Sequence, residues 1–225
     1  IDLRDAGGVT TIIQTHVMGT WRDGSVKWLL VDFQADVPAN GFVFYSLHTG
    51  GKLEEPVTPL IREQDELIVI VSGEDGIRWE MSRNPPDKVM NPFRPGDLWW
   101  TTAGGKRYTF RLEGEGSGIS IVENGPLRAV VRAVGWYFAE DDKSPIAMGD
   151  LRFEFYRGKG YCRLYHTFTY SGDPWQDKLG STGIRFSFPQ KKTTKLSIEL
   201  DGKPVEHSQT LQLWQDDEES ASATS

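Results

Sequence analysis

The sequence predicts an all-β fold, a partial N-terminal β-barrel region followed by an antiparallel β-sandwich. Three observations predict it. No segment of a dozen residues carries the helical period. Short β-branched or aromatic runs alternate with tight turn signals such as Arg22-Asp23-Gly24, Glu74-Asp75-Gly76 and Asp201-Gly202. Within the runs, apolar and polar residues alternate with a period of two, the signature of a strand with one covered face. Many short strands at regular spacing mean a sandwich or a barrel.

The elements follow in order. Thr10 to Met18 is β-branched and reads as a strand, and Ser25 to Phe33 returns after the Asp23-Gly24 tip. Asp-Gly between apolar runs is a strong hairpin signal, because glycine accepts positive φ without penalty. Phe42 to Leu47 follows the Pro38-Ala39-Asn40-Gly41 turn. Gly50 to Pro59 is turn-rich and places a boundary there, dividing the chain into a barrel region (1–58), a sandwich domain (59–215) and an acidic polar tail (216–225). The sandwich opens with Glu66 to Ser72 and Ile77 to Ser82. Arg83 to Gly105 reads as a long irregular loop carrying four prolines and the pair Trp99-Trp100, and such loops are often functional. Lys106 to Glu113, Gly118 to Glu123, Leu127 to Phe138, Leu151 to Tyr156, Tyr161 to Tyr170, Gly183 to Phe188, Lys195 to Leu200 and Thr210 to Trp214 complete the strands.

Alternation assigns faces. Cys162, Leu164, His166 and Phe168 share one face of their strand, and Tyr161, Arg163, Tyr165 and Thr167 share the other. Leu151, Phe153 and Phe155 lie opposite Arg152, Glu154 and Tyr156. The faces rich in Arg and Tyr have the composition of a groove floor, and equally of solvated sheet surface.

Composition narrows the function. The net charge of −7 gives no cationic footprint for nucleic acid or anionic membrane, so neither is an expected partner. No apolar run approaches the roughly 18 residues that span a bilayer. Cys162 is the single cysteine, so no internal disulfide forms, and a domain of this length can fold on its core alone. The start at Ile1 reads as a processed product or an excised piece. The four histidines are scattered at 16, 48, 166 and 207 without ligand spacing, so no metal and no cofactor is expected. No nucleophile elbow or phosphate loop is present. Asp23, Asp32, Glu80, Asp97, Glu154 and Asp173 could supply a glycosidase pair, yet nothing in the sequence selects two of them. Trp99 and Trp100 suit stacking on sugar rings or plugging their loop onto the sandwich. In a strand-like pair only one ring faces inward, so at least one is expected at the surface.

Two groups of segments carry a resemblance. One is Trp21-Arg22-Asp23-Gly24-Ser25-Val26-Lys27-Trp28. The other combines Glu123-Asn124-Gly125-Pro126-Leu127-Arg128-Ala129 with His166-Thr167-Phe168-Thr169-Tyr170-Ser171-Gly172-Asp173-Pro174. Together they resemble the exo-rhamnogalacturonan lyase-like family of polysaccharide lyases, from about Val9 to about Phe188. The resemblance implies an N-terminal barrel, a central β-sandwich and a following α-helical toroid, of which this chain holds the β-rich portion. It implies a secreted or periplasmic protein, a pectic polysaccharide or oligosaccharide as partner, and β-elimination as the family's reaction. The alternative is a non-catalytic extracellular module that binds carbohydrate or self-assembles, since open barrel edges recruit strands from neighbours.

A lyase must neutralise a uronate carboxylate, remove the C5 proton and protonate the leaving oxygen. His166, Tyr170, Arg163 and Arg128 form the one local set with the needed residue types. His166 shares a face with Leu164 and Phe168, which also suits a hydrogen-bonded core histidine. Without the toroid as a wall, the chain alone is expected to show little or no lyase activity.

Overall fold

In the computed structural model the described residues are 1–50, 58–72, 78–83, 97–140 and 144–187. The backbone is described further at 196–200, 203–207, 210–215 and 221–224. Among them no α-helix occurs, and the all-β expectation holds. The strands are β1 (Asp2–Asp5), β2 (Thr10–Thr11), β3 (Ile13–Thr20), β4 (Val26–Phe33), β5 (Tyr45–His48), β6 (Ile61–Gln64), β7 (Leu67–Val71), β8 (Arg78–Ser82), β9 (Leu98–Thr102) and β10 (Arg107–Arg111). There follow β11 (Gly118–Asn124), β12 (Arg128–Ala139), β13 (Ala147–Tyr156), β14 (Cys162–Tyr170), β15 (Leu179–Ser187), β16 (Leu196–Leu200), β17 (Lys203–His207), β18 (Thr210–Gln215) and β19 (Ala221–Thr224).

The central element is an antiparallel sheet in the order β14-β13-β12-β10-β9-β15-β18-β19, with β11 added on β12. β12 is long enough to hold two partners on one side. Its first half pairs with β11, from Asn124↔Ala129 to Gly118↔Val134, and its last turns to β10 through Arg111↔Trp136 and Tyr108↔Ala139. Its inward residues Ala129, Val131, Ala133 and Tyr137 are fully buried, as are Leu151, Phe153 and Phe155 of β13. A second sheet, β6-β7-β8, covers part of this face with Ile68, Ile70 and Met81, and Trp79 meets Phe155 with ring centroids 5.6 Å apart. This is the sandwich. Two glycines shape its other end. A Cβ at Gly149 would meet Phe110 at 2.8 Å and Tyr137 at 3.1 Å, and one at Gly135 would run into the Arg111 carbonyl, so bulky rings fill the space that these strands leave.

The N-terminal strands form two small sheets, β2-β1-β5 and β3-β4, joined by the Phe33–Tyr45 ring contact at 5.0 Å. The β3–β4 register shifts twice, between Val17 and Gly19 and between Gly19 and Thr20. Much of this region is apolar yet open to solvent, including Trp28 at 65% and Phe42 at 76% exposed.

The structure corrects three expectations. The segment from Arg83 to Gly105 is not wholly a loop, for it contains β9 at the centre of the large sheet; residues 84–96 lie outside the described residues. Prolines upstream masked a five-residue strand. Neither Trp99 nor Trp100 is surface-exposed, at 7% and 2%. Trp100 points to the core and stacks on Tyr108 at 4.8 Å. Trp99 points to the other face, but glycine at its paired position Gly183 lets the ring lie down on the sheet, and Arg107 covers it from above at 4.6 Å. The polar tail contains β19, which pairs with β18 from Gln215↔Ala221 to Gln212↔Thr224. The proposed boundary segment falls largely on 51–57, outside the described residues.

Candidate carbohydrate-binding face

The outer face of β12, β13 and β14 is built by strict alternation. Register places Arg128 beside Tyr156, Val130 beside Glu154 and Arg132 beside Arg152. On the far side Glu154 meets Arg163, Arg152 meets Tyr165 and Asp150 meets Thr167. The result is four guanidiniums interleaved with three tyrosines: Arg128, Arg132, Arg152 and Arg163 with Tyr156, Tyr161 and Tyr165.

These side chains divide by what they already hold. Arg132 is committed to Asp150 through a bidentate pair, with its Nη2 at 2.6 Å, and that contact holds the Asp150 carboxyl below the usual carboxylate range. Arg128 is surrounded by Glu123 at 3.2 Å, Glu154 at 3.7 Å and Asp32 of β4 at 3.9 Å. It ties the N-terminal hairpin to the sandwich together with Gln14 of β3. The Gln14 side chain accepts the Leu127 and Arg128 backbone N–H groups at 3.0 and 2.9 Å and donates to Glu123 and to the Arg128 carbonyl.

Arg163 and Arg152 remain. Glu154, the carboxylate opposite Arg163, accepts the Tyr156 hydroxyl at 2.6 Å and faces Arg128, so it is taken. Burial first, and then this bond, push the Tyr156 phenol up to about 12. Arg163 lies over the Tyr156 ring at 5.6 Å, and its bond to Tyr165 raises its pKa. Arg152 is exposed and makes no hydrogen bond or ion pair among the described residues. Tyr161 and Tyr165 are half exposed, at 50% and 48%. The Arg152 charge helps to lower the Asp150 carboxyl, but neither arginine makes a salt bridge among the described residues. Two such cations beside open phenol rings suit a sugar that carries a carboxylate: guanidinium binds carboxylate in a fork, and the ring faces pack on pyranose.

The four residues expected to work together are split by the sheet. Arg163 and Arg128 are on the outer face. His166 and Tyr170 are on the inner one, because residues an even number apart share a face and Arg163 is odd to His166. His166 Nε2 lies 2.7 Å from the buried Tyr137 hydroxyl, and burial lowers its pKa to about 4. The same burial pushes the Tyr137 phenol far up. The Tyr170 hydroxyl donates to the Asp177 carbonyl at 3.2 Å, and its ring sits 6.0 Å from Trp100. Sequence alternation had already separated these faces. What it did not show was which arginines are free, since that depends on the contacts of Asp32, Glu123 and Asp150.

Residues 101–220, just over half of the chain, match the family model described as the PcRGLX-like protein central beta sandwich domain. The chain belongs to this rhamnogalacturonan lyase-like family. No curated protein matches it. The PcRGLX-like match takes in β10 to β18, and so every residue of the Arg and Tyr face except those of the N-terminal hairpin.

Proposed function

We propose that this chain is the β-rich portion of a secreted or periplasmic lyase-like protein, and that it holds an acidic, rhamnogalacturonan-type polysaccharide on the outer face of β12–β14. The observation that carries the reading is the pair Arg152 and Arg163, neither in a salt bridge among the described residues, beside Tyr161 and Tyr165. Arg163 takes the uronate carboxylate, Arg152 a second carboxylate or ring hydroxyl, and the tyrosines the apolar sugar faces. Neutralising the carboxylate is also the first requirement of β-elimination, so the face supplies a component of the family's chemistry. It does not supply the proton transfers. Tyr156 holds its proton to about 12, and His166 is on the other side of the sheet. Binding without turnover is therefore the property expected of this chain by itself.

Calorimetric titration with rhamnogalacturonan oligosaccharides tests the reading. Binding that weakens about tenfold on Arg163→Gln, with no rise in unsaturated-uronate absorbance, is the expected result. Binding indifferent to both Arg152→Gln and Arg163→Gln would remove the site. Turnover by the chain alone, lost on His166→Ala in a folded protein, would instead favour a catalytic reading with the reaction on the inner face.

A further inference from the structure

The exposed indole that Trp99 and Trp100 do not supply is at Trp175, which is 85% exposed. It stands in the connection from β14 to β15, and its indole makes no ring contact, cation–π contact or hydrogen bond among the described residues. The loop that carries it is nonetheless firmly built. Asp173 sets the turn: its carboxylate accepts the Trp175 backbone N–H at 2.9 Å, and its carbonyl accepts those of Gln176 and Asp177 at 3.1 and 2.8 Å. Both ends of the loop are tied to the sheet. The Ser171 N–H and hydroxyl donate to the Ile146 carbonyl at 2.9 and 3.0 Å. The Ala103 N–H donates to the Lys178 carbonyl at 2.7 Å, and the Tyr170 hydroxyl donates to that of Asp177 at 3.2 Å. A Cβ at Gly172 would meet the Tyr170 hydroxyl at 2.6 Å, so the loop lies directly on the end of the sheet.

A ring that buries so little of its surface adds little to the fold, and its apolar faces are unfavourable to keep in water. Its neighbours identify what suits it. Asp173, Gln176, Asp177 and Lys178 flank it within three residues, and the Gln176 and Lys178 side chains make no hydrogen bond or salt bridge among the described residues. The other apolar residues of this segment are Pro174 and Leu179, the latter 51% exposed. That is too little for a protein or membrane partner, which needs a contiguous apolar patch. One flat ring among hydrogen-bonding groups suits a ligand that is apolar on one face and hydroxylated round its rim, which is a pyranose. Because the loop is already fixed, stacking on it costs little further ordering.

We propose that Trp175 is a sugar-stacking platform, on which one pyranose ring of a polysaccharide packs flat against the indole. That the ligand is a polysaccharide rests on the reading above. The platform is a contact separate from the Arg152–Arg163 pair. β14 rises about 3.3 Å per residue, so Ser171, where the loop begins, lies about 20 Å along the strand from Tyr165.

The test uses the full chain and polymeric rhamnogalacturonan, with acrylamide quenching of tryptophan fluorescence and affinity electrophoresis as readouts. The polymer should shield part of the emission from acrylamide, and Trp175→Phe should remove that shielding. Trp175→Ala should weaken retention by the polymer about tenfold, and Trp175→Phe, which keeps a flat ring, should weaken it less. Neither variant should melt below the parent, since the indole packs on nothing; this separates a binding loss from a folding loss. Shielding and retention unchanged in Trp175→Ala, with retention still lowered by Arg163→Gln, would overturn the platform and leave the Arg152–Arg163 reading standing. Retention lost in Trp175→Ala and indifferent to Arg152→Gln with Arg163→Gln would support the platform and remove the outer face. No retention of the parent chain would overturn the polysaccharide reading and the platform with it. Self-association of the parent that is lost in Trp175→Ala, with retention unchanged, would overturn the sugar assignment in favour of a contact between copies.

Discussion

His166 shows how one contact sets a residue's role. It lies against the inner face with Tyr137 on its Nε2, and burial holds its pKa at about 4 against an ordinary 6.5. At neutral pH it is an uncharged ring that exchanges a hydrogen bond with a phenol. A group with a depressed folded pKa binds fewer protons folded than unfolded between the two values. Stability therefore rises with pH across that window, is complete above about 6.5 and is lost as pH falls toward 4. The full effect is on the order of 3 kcal/mol, taking about 1.4 kcal/mol per pKa unit. His166→Gln can keep a bond to Tyr137 but cannot titrate. Urea unfolding at pH 4.5 and 7 should show a smaller difference in midpoint for this variant than for the parent; an equal difference would mean that His166 does not carry the acid sensitivity.

At the scale of the element, the β3–β4 hairpin is held by few contacts. Much of its apolar surface is open, with Val17, Met18, Trp21 and Trp28 all exposed, and an isolated two-stranded hairpin is marginal in water. Its firmest attachment is Gln14, whose amide satisfies two backbone N–H groups and one carbonyl at the start of β12. A Cβ at Gly125 would overlap the Gln14 amide, which shows how closely that loop is fitted to it. Gln14→Ala should cost about 2–4 kcal/mol, as two buried donors lose their acceptor. The loss should be local. Amide exchange in β3 and β4 should accelerate while β12 and β13 keep their protection. Equal acceleration in all four strands would mean that the hairpin is integral to the sandwich core.

The molecule as a whole shows which parts of a β protein can be read from a line of residues. The hairpins were legible because their turns are chemically marked and their faces alternate: Asp23-Gly24 sits between β3 and β4, and Arg157-Gly158-Lys159-Gly160 between β13 and β14. β9 was not legible, because prolines before it resemble a loop and because both of its faces are covered, which erases alternation. Trp99 and Trp100 were singled out as an adjacent pair of bulky rings; the expected exposure of one of them fails, and both are buried as the packing alternative had it, though within a strand and not under a loop. The free arginines were not legible at all. Whether a guanidinium is spent on a carboxylate depends on register across three strands and on Asp32 arriving from a different sheet.

Charge at this scale carries a prediction. The chain has a net charge of −7, yet the outer face of its large sheet presents Arg152 and Arg163, neither in a salt bridge among the described residues. Attraction for an acidic polymer should therefore be local, and should weaken as salt rises from 50 to 500 mM, since the screening length falls from about 14 Å to about 4 Å across that range. The central claim, that this face receives carboxylates, is tested most directly by titrating the chain with rhamnogalacturonan oligosaccharides before and after reduction of their carboxylates to alcohols. The account predicts binding by the acidic form, weakened about tenfold by Arg163→Gln, and little binding by the reduced form. Equal affinity for both forms, unchanged by Arg163→Gln and Arg152→Gln, would contradict it.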